Sequence, residues 1–436
     1  MRNINQRNLM KKKNIILIVA DDFGYECIAA NGGQSYNTPN FDAMAQNGVR
    51  FTHCFGQPLC TPSRVQIMTG KYNDKNYEGF GYLSVSERTF GNLFRDYGYR
   101  TCISGKWQLN GINTYPGGDT DRKRWQHFGF EEACLWQNTK CKQDGERYAN
   151  PLVDLNGEEL SVREGEYGPD IFCDYGLDFI ERNKDEAFFW YYPMVLTHAP
   201  FFMTPHSEDW ENGDREAKNV EYFRDMVEYT DFLVGKIIKR VEELGLADDT
   251  LIMFTGDNGT DRRVTSYMEK IGEYPGGKGG MWGPGTHVPL LAVCGDTIRK
   301  GAVCDSLVDF SDFLPTIADV AGLPLDRYTD LDGQSFLHHL TGDAGPEREW
   351  IYCHYIPWSV DNEQFAIGRM VYGKRYKLYR TGEVYDIEND FFEESPLPED
   401  DPVVTNIRAQ YEPVFHSRPT WDSAVARMNG ERFQRP

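Results

Sequence analysis

A chain of 436 residues, 40% hydrophobic and 26% charged, has material for one large domain and a smaller one, and it carries no long low-complexity tract. Its formal net charge of -21 argues against nucleic acid or an anionic membrane as partner, and makes a long polyanion an awkward substrate unless the cleft is locally basic. No segment is long and apolar enough to span a bilayer, so no membrane partner is expected.

Met1 to Asn14 is polar and basic, and the apolar run behind it, Ile15 to Ala20, is too short for the core of a secretory signal and lacks a small-residue cleavage site. The expected location is cytoplasmic for the chain as written, with the periplasm or exterior as the alternative if an export signal has been removed. Cysteines at 27, 54, 60, 102, 134, 141, 173, 294, 304 and 353 show neither a paired zinc motif nor a dense disulfide pattern, and read as mostly reduced core thiols. A Cys54–Cys60 disulfide stays open as an alternative.

Asn14–Ala20 is a continuous β-branched apolar run, as expected of a strand covered on both faces, and it stops at Asp21-Asp22. A helix follows over Thr38–Ala45, with Thr38 as cap, Pro39 as first residue and Gly48 as stop. In Cys60-Thr61-Pro62-Ser63-Arg64, Thr61 as N-cap and Pro62 as first helical residue would put Cys60 at the mouth of a helix whose free N–H groups favour an anion. Another helix over Thr89–Arg95 closes at Gly98, and a short strand, Tyr99–Ile103, delivers Gly105-Lys106-Trp107-Gln108. Residues 110–170, rich in Gly, Asp, Asn, Tyr and Trp, read as long loops over one end of a sheet.

Phe188–Tyr192 with Met194–Leu196 forms a second buried strand, running into Thr197-His198-Ala199-Pro200-Phe201. An amphipathic helix spans roughly Val220–Leu244. A third strand, Thr250–Phe254, ends at Gly256-Asp257-Asn258-Gly259; a glycine loop over 276–280 holds Lys278, a strand covers Val288–Val293 and a helix Phe310–Gly322. From Trp350 short alternating runs (Trp350–Tyr355, Phe365–Tyr372, Tyr376–Tyr379, Glu383–Ile387) predict a small antiparallel sheet. The pattern predicts an α/β fold with a doubly wound, mostly parallel sheet over 1–345, followed by a smaller α+β domain over 346–436. Ligands of such sheets bind beyond the carboxyl ends of the strands, where Asp21, Asp22, Lys106, His198, Asp257 and Asn258 all fall.

The Cys-x-Pro-Ser-Arg run at Cys60 resembles the signature that marks sulfatases for oxidation of the cysteine to formylglycine. The likeness extends over about 20–400, through Asp21-Asp22, Thr38-Pro39-Asn40-Phe41, Gly105-Lys106-Trp107, Thr197–Phe201, Asp257-Asn258-Gly259, Gly277-Lys278-Gly279 and Tyr385-Asp386-Ile387-Glu388-Asn389-Asp390. It implies the alkaline-phosphatase-like fold and hydrolysis of a sulfate monoester. It also implies a metal site of Asp21, Asp22, Asp257 and Asn258, a hard-oxygen set suited to calcium, with magnesium possible, and poorly to zinc. Two adjacent aspartates after an apolar strand themselves ask for a cation, because they repel each other.

By the same resemblance Cys60 becomes the formylglycine nucleophile, Arg64 hydrogen-bonds its hydrate, Lys106 and Lys278 grip the sulfate, and His198 donates a proton to the leaving oxygen. A maturing enzyme that generates formylglycine is then an expected partner. Gln108 departs from the pattern: the family usually has a histidine there, and glutamine can hydrogen-bond but cannot accept a proton at neutral pH. Arg122-Lys123-Arg124-Trp125 and Arg262-Arg263 are basic islands, and Trp125, Trp136, Trp210 and Trp282 could stack on sugars, which suits a sulfated small molecule or oligosaccharide. A phosphonate monoester or phosphodiester hydrolase of the same superfamily is the alternative activity. A sulfated-glycan-binding protein without turnover, suggested by Gln108, is the alternative class.

Overall fold

The computed structural model describes residues 12–112, 114–140, 146–160, 165–357 and 367–430; the N-terminal segment to residue 11, Cys141 and the Phe365 end of one predicted strand lie outside the described residues. Its strands are β1 (Asn14–Ala20), β2 (Val49–Phe55), β3 (Arg100–Lys106), β4 (Glu132–Trp136), β5 (Val153–Leu155), β6 (Glu158–Leu160), β7 (Phe188–Pro193), β8 (Thr250–Gly256), β9 (Thr265–Met268), β10 (Gly272–Pro275), β11 (His287–Val293) and β12 (Ala302–Asp309). Four more follow: β13 (Ile351–Tyr355), β14 (Gly368–Tyr372), β15 (Tyr376–Tyr379) and β16 (Val384–Asp386).

A 10-stranded sheet runs in the order β12-β2-β11-β8-β1-β7-β3-β4-β5-β6. β1 lies at its middle, parallel to both β7 and β8, while β11 runs antiparallel between β8 and β2. The two-residue alternation of a strand divides β1 between two cores. Ile15, Leu17 and Val19 pack with Phe51, Val65 and Phe90 on one face, and Ile16, Ile18 and Ala20 with Phe41, Met226 and Val234 on the other. Burial on both faces is why this strand is apolar from Ile15 to Ala20.

Several sequence expectations shift in detail. Helix Pro39–Asn47 starts after Thr38, but the Thr38 hydroxyl accepts from the Ala29 N–H at 3.0 Å instead of capping. The cap comes from helix Tyr222–Glu243, whose Asp231 carboxylate accepts from the Asn40 N–H at 3.2 Å and the Phe41 N–H at 2.8 Å. The stretch over 110–170 is not all loop, since it supplies β4 and the β5–β6 hairpin that edge the sheet. That hairpin turns on Asn156-Gly157, both at positive φ (52° and 93°). Helix Gly168–Arg182 was not foreseen, though Phe172, Cys173, Gly176, Phe179 and Ile180 form its buried stripe. A Cβ at Gly176 would come within 1.8 Å of the Trp190 ring, so glycine is what lets this helix lie on β7.

β13 to β16 form a separate antiparallel sheet. Helix Pro402–His416 covers one face, where Val404, Ile407 and Tyr411 meet Tyr352, Val371 and Leu378. Ile351, Cys353, Tyr355 and Met370 on the other face pack against Phe55, Leu59 and Met281, which sets this sheet against the segment entering Cys60. No helix among the described residues is long and apolar enough to cross a membrane.

Candidate active site

Parallel pairing of β1 with β8 sets Ala20 beside Gly256, so Asp21-Asp22 and Asp257-Asn258 leave the sheet together. The Asp22 N–H donates to Asp257 Oδ1 at 3.0 Å, and Asn258 Nδ2 donates to Asp22 Oδ1 at 2.9 Å. Asn258 Oδ1 is left buried without a hydrogen-bond partner among the described residues. Lys106, the last residue of β3, donates from Nζ to both oxygens of Asp21, at 2.7 and 2.9 Å. A Cβ at Gly105 (φ 113°) would lie 2.1 Å from the Pro193 carbonyl oxygen, so glycine is required for β3 to approach β7 at the step that delivers the lysine.

Cys60 opens helix Cys60–Thr69, with Leu59 in the N-cap position. The expected cap at Thr61 is therefore corrected: Thr61 and Pro62 lie within the first turn, where a missing N–H costs nothing. The Thr61 hydroxyl instead accepts from the Gly81 N–H at 3.2 Å, and the Ser63 hydroxyl accepts from the Gln57 N–H at 2.9 Å, clamping the turn that presents the thiol. Cys54 and Cys60 are both free thiols, which removes the disulfide alternative. One turn on, Arg64 donates from Nε to Asp257 Oδ2 at 3.0 Å, with its Nη2 3.8 Å from Asp21 Oδ1.

Lys278 rides a loop fixed by the Lys278 N–H to Thr260 carbonyl bond (3.0 Å) and the Gly279 N–H to Pro58 carbonyl bond (2.8 Å). Its Nζ donates to Asp22 Oδ2 at 2.5 Å. His198 sets Nε2 3.8 Å from Asp22 Oδ2 and Nδ1 2.5 Å from the Ala199 carbonyl oxygen, so in the neutral ring the hydrogen sits on Nδ1. Gln108 is 3.7 Å from the Cys60 thiol through Oε1 and holds a left-handed backbone (φ 51°), as do Asp22 (59°) and Gln137 (56°). Such conformations cost non-glycine residues about 1–3 kcal/mol each and gather where a site demands a set geometry. The structure thus draws Asp21, Asp22, Cys60, Arg64, Lys106, Gln108, His198, Asp257, Asn258 and Lys278 into one cluster.

The cluster is electrostatically crowded. Burial pushes the Asp257 carboxyl up to about 7, with Asp21 adding to the shift and Arg64 opposing it. Burial and Asp21 also raise Asp22 despite Lys278, whereas Asp21, against its burial, is held well below the usual carboxylate range by Lys106, His198 and Arg64. Three buried carboxylates that resist joint ionisation, beside an orphaned amide oxygen, fit a hard divalent cation. Donor atoms of Asp21, Asp22 and His198 lie within 4.8 Å of one another, as do those of Asp21, Cys60 and Asp257. Burial raises the Cys60 thiol, with Asp21 and Asp257 opposing the pull of Lys106 and Lys278, so it stays protonated at neutral pH. Burial and then Lys278 hold His198 well below its ordinary value, so its ring is neutral.

Of the basic islands, Arg122 pairs with Asp154 at 2.9 Å and Arg124 donates to the Leu83 carbonyl at 3.0 Å beside a buried Trp125, so this stretch holds the fold together. Trp210 is buried as well, and Trp282 packs on Phe392. Arg262 belongs to the site's frame, donating to the Lys278 carbonyl at 2.6 Å, while Arg263 pairs with Asp261. Sequence reasoning missed Arg147, whose Nη1 lies 3.9 Å from Asp21 Oδ2. A single arginine in an aperiodic stretch gives no signal.

Comparison with known proteins gives a family. The Sulfatase family model matches residues 13–323, and the model for the N-sulphoglucosamine sulphohydrolase C-terminal region matches 277–415. Human arylsulfatase A is 30% identical over 370 residues, covering 78% of this chain and 70% of the relative; human steryl-sulfatase is 26% identical over 428 residues, covering 79% and 72%. Among solved structures, Ps i-CgsB in complex with k-i-k-neocarrahexaose superposes with a TM-score of 0.75 at 22% identity (98% of this chain, 100% of that chain). A protein in complex with its substrate D-glucosamine-2-N,6-O-disulfate gives 0.72 at 20% (97% and 98%). The phosphonate monoester hydrolase of Agrobacterium radiobacter gives 0.68 at 18% (93% and 95%), and at these identities the likenesses speak to the fold alone. The family model over most of the chain and the arylsulfatase A match, set beside the clustered Cys60 signature, show that this chain belongs to the sulfatase family and is a sulfuric ester hydrolase.

Proposed function

We propose that the protein removes sulfate from a sulfated carbohydrate, with a formylglycine made from Cys60 and a calcium or magnesium ion held by Asp21, Asp22, Asp257 and Asn258. The observation that carries this reading is the gathering of the Cys60-x-Pro62-Ser63-Arg64 turn, Lys106, Lys278 and three buried carboxylates at one point; the Cys60 thiol, held protonated by burial, is itself a poor nucleophile, and conversion would supply the hydroxyl that attacks. When present, the hydrated aldehyde supplies the attacking hydroxyl and the cation polarises the sulfuryl oxygens. Cys60, Pro62, Ser63 and Arg64 are all buried, so the maturing enzyme must act before this helix packs.

The chain's own residues do the rest. Lys106 and Lys278 place positive charge around a sulfate at Cys60, where negative charge spreads as the S–O bond stretches. Arg64, braced by Asp257, orients the nucleophile. His198 is neutral without substrate; the negative charge of a bound sulfate ester favours its protonated form, and from Nε2 it then donates to the leaving oxygen. The fold is shared with a phosphonate monoester hydrolase, and the carbohydrate reading is supported by two neighbours of the same fold, one in complex with k-i-k-neocarrahexaose and one with D-glucosamine-2-N,6-O-disulfate. Comparing kcat/KM for an aryl sulfate, an aryl phosphonate and sulfated mono- and disaccharides tests it: sulfated saccharides should lead, and binding without sulfate release would refute it.

Gln108 touches the Cys60 thiol through Oε1, which makes it a hydrogen-bonding group at the nucleophile. Gln108→Ala should lower turnover by about 10-fold, the loss of one such bond, and Gln108→His should restore or exceed the wild-type rate. Pre-steady-state measurement separates alcohol release from sulfate release; if Gln108→Ala leaves both phases unchanged, the side chain only fills space.

A further inference from the structure

We infer that Arg147 reads a second acidic group of the substrate, a carboxylate or a further sulfate carried on the alcohol beside the scissile sulfate. The inference rests on the carbohydrate-sulfatase reading and narrows its substrate class.

Counting charges at the catalytic end leaves Arg147 over. Lys106 pairs with Asp21, Lys278 with Asp22 and Arg64 with Asp257, one cation to each carboxylate. Arg147 is only 8% exposed, and its Nε and Nη1 have no hydrogen-bond partner among the described residues. Its approach to Asp21 Oδ2, at 3.9 Å, is beyond hydrogen-bond reach, and that oxygen already takes Lys106 Nζ at 2.7 Å. Two buried N–H positions of a permanently charged group left without an acceptor are costly, and they persist where an anion completes them.

The guanidinium is also held in place for such a ligand. It lies over the Trp136 ring at 4.1 Å from the centroid, with the Tyr148 ring at 5.9 Å, so stacking on Trp136 steadies its plane and leaves its N–H edge for a ligand. That edge offers the planar fork that fits a carboxylate or a sulfate. The next residue fixes its side of the site: the Tyr148 hydroxyl donates to the Val195 carbonyl at 3.1 Å and to the His198 carbonyl. Arg147 is thereby tied to the segment carrying the group assigned to the leaving oxygen, rather than to the Cys60 turn. A cation on that side meets the alcohol's substituents.

The test compares paired substrates that differ in one acidic group. D-Glucosamine-2-N,6-O-disulfate against N-acetylglucosamine 6-sulfate probes a second sulfate, and a 2-sulfated hexuronic acid against the matching 2-sulfated hexose probes a carboxylate. Wild type should prefer the acidic member of at least one pair, and which pair it is names the source of the anion. In Arg147→Gln that preference, as a ratio of kcat/KM values, should fall by about 10- to 100-fold. Arg147→Lys, which keeps the charge but not the fork, should fall between the two. A wild type indifferent to the acidic group in both pairs, or a preference untouched in both variants, overturns the inference and leaves the carbohydrate reading standing. Hydrolysis of aryl sulfate with no saccharide desulfated overturns both.

Discussion

Cys60→Ala should lower sulfate-ester turnover by about 10⁵- to 10⁶-fold, the scale on which removal of a covalent nucleophile is felt, and should leave the melting temperature within a few degrees of wild type. The two halves of this result have separate causes. Cys60 is 2% exposed, and its thiol has one hydrogen-bond contact, to Gln108 Oε1 at 3.7 Å, so deleting a single sulfur removes little packing, about 1 kcal/mol. The activity, in contrast, depends on what the sulfur becomes. Burial holds the thiol protonated, so protein with unconverted Cys60 should be as inactive as the alanine variant. Across preparations matured to different extents, specific activity should rise in proportion to the aldehyde at Cys60 found by peptide mass spectrometry. Full activity in a preparation that retains the thiol would sink the formylglycine reading.

β1 was legible because its environment is uniform: with apolar neighbours on both faces, Ile15 to Ala20 admits no polar residue, and the switch to Asp21-Asp22 marks the sheet's edge. The catalytic cluster was legible because most of its members follow a strand end, open a helix or sit in a glycine-rich loop beside recognisable neighbours. What failed to show had mixed surroundings. β2 reads Val49-Arg50-Phe51-Thr52-His53-Cys54-Phe55, half-buried at Arg50, Thr52 and His53, and β12 breaks its period at a register shift between Cys304 and Leu307. Helix caps misled where tertiary contacts took them over, as when Asp231 displaced Thr38. Arg147 carries no local pattern at all; its meaning comes from Trp136 and Asp21, which only the folded sheet brings near. Net charge was equally uninformative at short range, since an acidic chain places three lysine and arginine side chains opposite three carboxylates at its site.

Asp257→Asn should abolish stoichiometric calcium or magnesium binding and lower turnover by about 10³-fold, the loss expected when the positive charge facing the transferred group goes. Asp257 Oδ1 accepts the Asp22 N–H and Oδ2 accepts Arg64 Nε, so both oxygens already face donors. An asparagine turns one of them into an NH₂ that meets a donor, and it leaves Arg64 with Asp21 as its one nearby carboxylate among the described residues, 3.8 Å from its Nη2. The pH dependence of binding follows from the carboxyl's position at about 7 when no cation is present. Below pH 7 the site holds a proton that the metal must displace, so affinity should fall by about tenfold per pH unit on acidification. Above pH 7 Asp257 is ionised and its proton no longer opposes the metal, so the slope falls to whatever Asp22, also raised by burial, still adds. Titration calorimetry of chelator-treated protein from pH 5 to 8.5, with elemental analysis of the loaded form, measures both points. Zinc in the active enzyme, full activity without metal, or an affinity flat across pH 5 to 7 would each overturn the assignment.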